Sequence, residues 1–202
     1  MQKTLLAIIA AAVVSVAVSV NFALGAGEPA DKASVSGSTV EVTAPGVATP
    51  ILTTHMRSST TADATLGVTL ECAIATSVKT TGNDDQSAEG VVDVWVEVDG
   101  QAVPVATGDD GKVTFCNESH RRVTMLGTDD SADTIETFDR SKAANSFNWT
   151  ALNLGNGVHK IEVIAELTET ATNPNTADAA IGKRTLTVSP THMAVDETPD
   201  ED

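Results

Sequence analysis

The residues of this chain that could carry chemistry are four histidines, two cysteines, three acidic turns and Trp95. His55, His120, His159 and His192 are dispersed. A hydrolytic site needs a His beside a nucleophile and an orienting carboxylate. Glu162 lies near His159 in sequence, but residues three apart on a strand face opposite sides. His159 therefore reads as a structural residue whose ring makes a hydrogen bond at a turn. The sequence contains no G-x-S-x-G, P-loop or H-E-x-x-H motif. The expectation is a protein without a catalytic site and without a cofactor.

Acidic turns occur at Asp84-Asp85, at Asp109-Asp110, and at Asp129-Asp130 with Asp133. Calcium takes six to eight oxygen ligands, which adjacent loops can supply. None of the three turns matches the spaced D-x-[DN]-x-[DN]-G loop, so solvated turn residues are expected. Asp129, Asp130 and Asp133 are the set to which a calcium ion would be assigned. Cys72 and Cys116 have no Cys or His at ligand spacing around them, which argues against a metal site. An even pair in an exported chain reads as a disulfide, with two buried thiols as the alternative. Asn117-Glu118-Ser119 and Asn148-Trp149-Thr150 are formal N-glycosylation triplets, the second inside a predicted strand.

Export itself is read from the N-terminus. Lys3 supplies a positive charge, residues 5–20 are almost wholly Leu, Ala, Ile and Val, and Ala23, Gly25 and Ala26 are small. That is the order of a secretory signal, with cleavage expected after Gly25 or Ala26. An uncleaved anchor is the alternative, because residues 4–24 approach the roughly 20 needed to span a bilayer. Residues 1–26 are thus assigned to a signal peptide and the mature chain to a secreted or cell-surface location. Membrane contact is expected only through that N-terminal segment, if it is kept. Residues 27–49 are Gly, Ala, Ser, Thr and Pro with scattered charges, and read as a flexible linker. Residues 191–202 end in an acidic run expected to be disordered. One domain is left at residues 50–190.

The formal net charge is −16 and the pI about 4.4. Such a surface repels a phosphate backbone, and no basic run is longer than Arg121-Arg122, so nucleic acid is excluded as a partner. An extracellular protein or a glycan is the partner class that remains.

Within 50–190 the apolar residues recur with period two. Leu66, Val68, Leu70, Cys72 and Ile74 alternate with polar or small residues. Val92, Val94, Val96 and Val98 do the same and run into Asp99-Gly100, a hairpin turn signal followed by Val103 and Val105. Ile161, Val163, Ala165 and Leu167 form a third set, and 181–188 a last strand. Residues 130–144 carry the best helical pattern, in competition with a strand at 134–138. Alternation of this kind belongs to half-buried antiparallel strands. Seven to nine of them, separated by Gly, Asn and Asp turns, imply an all-β fold: an antiparallel sandwich of two sheets. If the four valines face inward, Trp95 faces outward. There it serves either as a ligand surface or as a cover for the sheet beneath a long insertion.

Four short stretches carry a resemblance. Val94-Trp95-Val96-Glu97-Val98-Asp99-Gly100 is similar to the strand and turn "V-x-V-D-G" of bacterial immunoglobulin-like domains. Phe147-Asn148-Trp149-Thr150 resembles their next core strand. Leu154 to Val163 looks like their "L-x-x-G-x-H-x-I-x-V" turn and strand, and Thr185-Leu186-Thr187-Val188 like their closing strand. The resemblance covers about residues 90–190. It implies an immunoglobulin-like sandwich with a binding, adhesive or structural role on a secreted or surface protein. A carbohydrate- or calcium-binding accessory module is the alternative, and a small secreted hydrolase a third. The chain departs from the pattern between 106 and 145, where about 40 residues separate the Asp99-Gly100 hairpin from the Phe147 strand.

Overall fold

The computed structural model describes residues 33–191, apart from 39, 43, 82–83, 107, 125–133 and 173. Among these residues there are ten strands and no helix. They are β1 (Ala33–Gly37), β2 (Val40–Val42), β3 (Thr49–Ser58), β4 (Ala62–Thr81), β5 (Asp84–Val98), β6 (Gln101–Ala102), β7 (Val113–Thr124), β8 (Thr134–Leu154), β9 (Gly157–Ala171) and β10 (Thr176–Thr191). Two antiparallel sheets pack as a sandwich. The first runs β1-β10-β4-β8, with β2 also on β10. The second runs β3-β9-β5-β6, with β7 also on β5.

The alternating residues make the core. Leu66, Val68, Leu70, Cys72 and Ile74 of β4 are buried, and face the equally buried Val92, Val94 and Val96 of β5 and Ile161, Val163, Ala165 and Leu167 of β9. Each strand contributes one apolar face because successive side chains point to opposite sides. The predicted hairpin at Asp99-Gly100 forms between β5 and β6, pairing Val98 with Gln101. Asp99 has φ 53° and Gly100 φ 80°. Positive φ at both central residues defines a type I′ turn, which Asp-Gly tolerates and which matches the strand twist.

One expectation changes, and two segments left open by the sequence are placed. The linker expected at 27–49 holds two strands, because β1 pairs with β10 from Ala33↔Val188 to Gly37↔Arg184, and β2 pairs with Ile181, Ala180 and Ala179. Val42 is buried and Ala33 and Val35 pack on the core, so a few apolar side chains and a free sheet edge suffice to recruit this stretch. The described residues of the long insertion at 106–145 are built into both sheets. They supply β7 and the first half of β8. The contest at 130–144 goes to the strand, since β8 pairs with β4 without interruption from Thr134↔Thr81 to Ala151↔Ala64. The domain expected at 50–190 holds eight strands, β3 to β10, within the seven to nine expected, and β1 and β2 add to it from outside that range.

Side-chain ties join the sheets at both ends. At one end Asn175, buried after β9, accepts from the Lys79 N–H at 2.9 Å and donates to Gln86 Oε1 at 3.0 Å. Near β1, Arg184 of β10 donates from Nε to the Ile51 carbonyl of β3 at 2.8 Å. Gly37 leaves room for that guanidinium, since an added Cβ would lie 2.7 Å from it. The signal peptide expected at 1–26 lies outside the described residues, as does 192–202. No helix among the described residues is long and apolar enough to cross a membrane.

Candidate functional site

A concavity opens at one side of the sandwich, between the β5–β6 turn with the residues after it and the end of β8. Its volume is about 780 Å³. Val103, Pro104, Val105, Leu152 and Leu154 line it, with Trp149 also in the wall, and Asp99 and His159 stand at its rim. Val105 and Leu152 are exposed there.

The Asp99–His159 pair is built by the β5–β6 turn and the start of β9. The positive-φ conformation of Asp99 turns its carboxylate toward β9. One oxygen accepts the Lys160 N–H at 2.8 Å, and the other lies 2.7 Å from His159 Nδ1. His159 Nε2 lies 2.9 Å from the Gly155 carbonyl oxygen. Carboxylates and carbonyls only accept, so both ring nitrogens must carry hydrogen and the ring is an imidazolium. The Asp99 bond, and after it the Gly155 carbonyl, hold the His159 pKa above its ordinary value. The His159 bond, and after it the Lys160 N–H, hold Asp99 below the ordinary carboxylate range.

This geometry bears on proton transfer at the cleft. Thr150 is the one hydroxyl residue among those lining the cleft. A general base needs a free lone pair within reach of the proton that it takes. His159 has none while both nitrogens donate. The pair fastens the β5–β6 turn to the start of β9.

A pH signature follows. His159 has a raised folded pKa, so its contribution is complete below the unfolded value of about 6.5 and is lost as pH rises through the folded value. Asp99 has a lowered folded pKa, so its contribution is present above about 3.9 and is lost as pH falls through the folded value. The His159→Gln variant should therefore lose most stability relative to wild type near about pH 5.5, by roughly 1 kcal/mol. Asp99 is half exposed, and water keeps the pair at that modest size. Urea melts at several pH values check this. A deficit that stayed flat or grew toward pH 9 or so would contradict the imidazolium assignment.

Of the other sequence candidates, His55 comes near enough to bear electrostatically on Asp99, and the rest do not gather here. His55 stands on β3 opposite Lys160, and His120 on β7 has Nδ1 3.7 Å from Asp139 Oδ2. His192 lies outside the described residues. Cys72 and Cys116 are bonded to each other, with Cα atoms 6.2 Å apart, and tie β4 of one sheet to β7 of the other. Trp95 is on the outer face, as the inward valines require, but it is covered and only 7% exposed. Ile164 faces it from β9, the Lys112 ammonium lies 4.8 Å from its ring centroid, and its N–H donates to Glu97 Oε1 at 2.9 Å. Lys112 comes from the insertion, so Trp95 covers the sheet beneath it and offers no open stacking surface.

Two acidic turns are occupied by the protein itself. Asp109 accepts from the N–H groups of Val105, Ala106 and Gly111 at 2.8, 2.7 and 3.0 Å. Partial burial pushes its pKa up, but these three donors outweigh that and hold it low. Asp85 accepts from Arg121 Nε at 2.9 Å. Asp129, Asp130 and Asp133 lie outside the described residues. No three His, Cys, Asp or Glu side chains group as metal ligands among the described ones.

Sequence reasoning does not pair Asp99 with His159, because 60 positions separate them. The available signal is the Asp-Gly turn itself, whose carboxylate must fall beside the neighbouring strand.

No protein-family model matches the chain, and no curated protein matches it. Among solved structures it is similar to a chain of infectious bursal disease virus, Gx strain, at 10% identity and a TM-score of 0.35. That likeness covers 83% of this chain and 34% of the viral one. A Gt-strain structure of the same virus gives 10% identity and a TM-score of 0.16, over 81% of this chain and 42% of the other. The chain thus spans about a third of the length of the first of these. At such scores neither likeness carries an argument about what this protein does.

Proposed function

We propose that this chain is an exported, non-catalytic β-sandwich, related to immunoglobulin-like modules, that works outside the cell by binding or assembly. The observation that carries the reading is the state of His159. The one histidine lining the cleft is held between Asp99 and the Gly155 carbonyl, which supports a scaffold role for it. Support for export comes from the Cys72–Cys116 bond, since disulfides persist in oxidising compartments. Support for the immunoglobulin-like relation comes from two antiparallel sheets whose resembling stretches occupy β5, β8, β9 and β10.

The test is a panel of ester, peptide and glycoside substrates offered to the purified wild type and to the His159→Gln variant. Neither should turn over any of them. Hydrolysis by wild type that vanished in a folded variant would falsify the reading. The accessory-module alternative draws on the cleft, whose exposed Val105 and Leu152 suit an apolar ligand surface. A calcium- or glycan-dependent rise in melting temperature would favour it.

A further inference from the structure

β8 is the last strand of the first sheet, and among the described residues its outer edge pairs with nothing. It is 21 residues long, and its register with β4 is unbroken for most of that length. Proteins usually blunt such an edge with charged side chains, proline, a bulge or a covering element, and of these β8 uses charge, with Asp139 on its inner face. β8 contains no proline, and no bulge interrupts it between Thr134 and Ala151. β7 of the second sheet reaches β8 from the inner side, with His120 beside Asp139 and Asn145 donating to the Phe115 carbonyl, and in neither contact does the β8 backbone take part. The edge is also locally neutral in a chain of charge −16. Glu136 and Asp139 are balanced by Arg140 and Lys142.

The outer face of this edge carries Glu136, Phe138 and Arg140 in alternation, opposite in direction to the buried Trp149. Phe138 is 74% exposed, more than any other large apolar residue described. The three residues are complementary to themselves. In an antiparallel pair, directly opposed residues share a face. A twofold axis through Phe138 would set Glu136 opposite Arg140 of a second copy, Arg140 opposite Glu136, and Phe138 against Phe138. Lys142 would then face Thr134, and Asp139 would face Thr137, so no like charges meet. The adjacent registers are worse. Centring on Asp139 or on Arg140 places that charge against itself, and centring on Thr137 places Phe138 against Glu136.

From this complementarity we infer that the chain forms a twofold dimer by antiparallel pairing of its β8 edges around Phe138, joining two five-stranded sheets into one. Isologous contacts of this kind need one self-complementary patch, which the Glu136-Phe138-Arg140 alternation supplies. The inference adds a partner to the reading above but stands on different residues, so its failure leaves the non-catalytic role of His159 untouched.

A charge exchange tests it on the full chain by sedimentation equilibrium near physiological salt. Wild type should be a concentration-dependent dimer. Glu136→Arg alone places arginines opposite each other at two symmetric points, and Arg140→Glu alone does the same with glutamates. Each should weaken the dimer by about tenfold or more. The double variant restores both opposite pairs and should recover most of that loss. These side chains lie on the outer face, so the folds should stay intact by circular dichroism. A wild type that remained monomeric up to about 100 µM would overturn the inference. So would a dimer indifferent to the single exchanges, or a double variant no better than either single one.

Discussion

Replacing Cys72 and Cys116 together by alanine is expected to lower stability by about 4 kcal/mol. The bond closes a loop with a sequence separation of 44 residues, and chain-entropy arithmetic for that length gives this figure. The entropy gained belongs to the unfolded chain, which in the bonded protein cannot separate β4 from β7. β4 passes to β5 directly, whereas β7 reaches its place only through the β5–β6 turn and the loop before Val113. The bond thus fixes the strand that carries the cover over Trp95 and the Phe115 that lies against Trp149. Domains of this size have about 5–15 kcal/mol in total, so the loss takes a large share. Urea denaturation of wild type with and without reductant, beside the double alanine variant, reads it out. Thiol titration of unfolded, unreduced wild type should find no free thiol. A midpoint that did not move would mean that the unfolded chain is already held compact by other contacts.

The sandwich was legible wherever one face of a strand is apolar and the other polar. β4, β5 and β9 satisfy that rule, and their alternating residues are the ones buried. β8 was the hard case for a physical reason. From Thr134 to Ser146 its side chains are exposed or half exposed on both faces, so no apolar period marks it. What makes it a strand is the ladder with β4, a partner that local sequence does not reveal. β1 failed in the same way, since Ala33-Ser34-Val35-Ser36-Gly37 has a linker's composition and becomes a strand by pairing with β10. Trp95 shows a different limit. Alternation placed it on the outer face, but whether that face is open depends on Lys112, from the far side of the hairpin. The Asp99–His159 pair depends likewise on register between strands 60 residues apart. One-dimensional pattern decides which way a side chain points, and tertiary pairing decides what it meets.

Trp149→Ala should cost about 3–5 kcal/mol, comparable to loss of the disulfide. Trp149 is 1% exposed and is the largest fully buried side chain among the described residues. It projects from β8 in the first sheet and meets the second sheet twice. Its ring lies parallel to that of Phe115 of β7, with centroids 6.2 Å apart and planes inclined by 1°. Its indole N–H donates to the Gly111 carbonyl at 2.8 Å. Phe147, two residues back on the same face, packs edge-on at 4.9 Å. Gly111 is fitted to this role, because φ is +72° and an added Cβ would lie 2.2 Å from the Val103 carbonyl oxygen. Trp149→Ala removes the ring contacts and leaves a cavity at the base of the cleft. Trp149→Phe keeps much of the apolar volume but leaves the Gly111 carbonyl without its donor, a loss of about 1–3 kcal/mol. The expected order of stability is wild type, then phenylalanine, then alanine, measured by urea denaturation followed through circular dichroism. Were the phenylalanine variant as unstable as the alanine one, the indole N–H bond to Gly111 would outweigh the ring contacts. Were both within about 0.5 kcal/mol of wild type, Trp149 would not bridge the sheets at all.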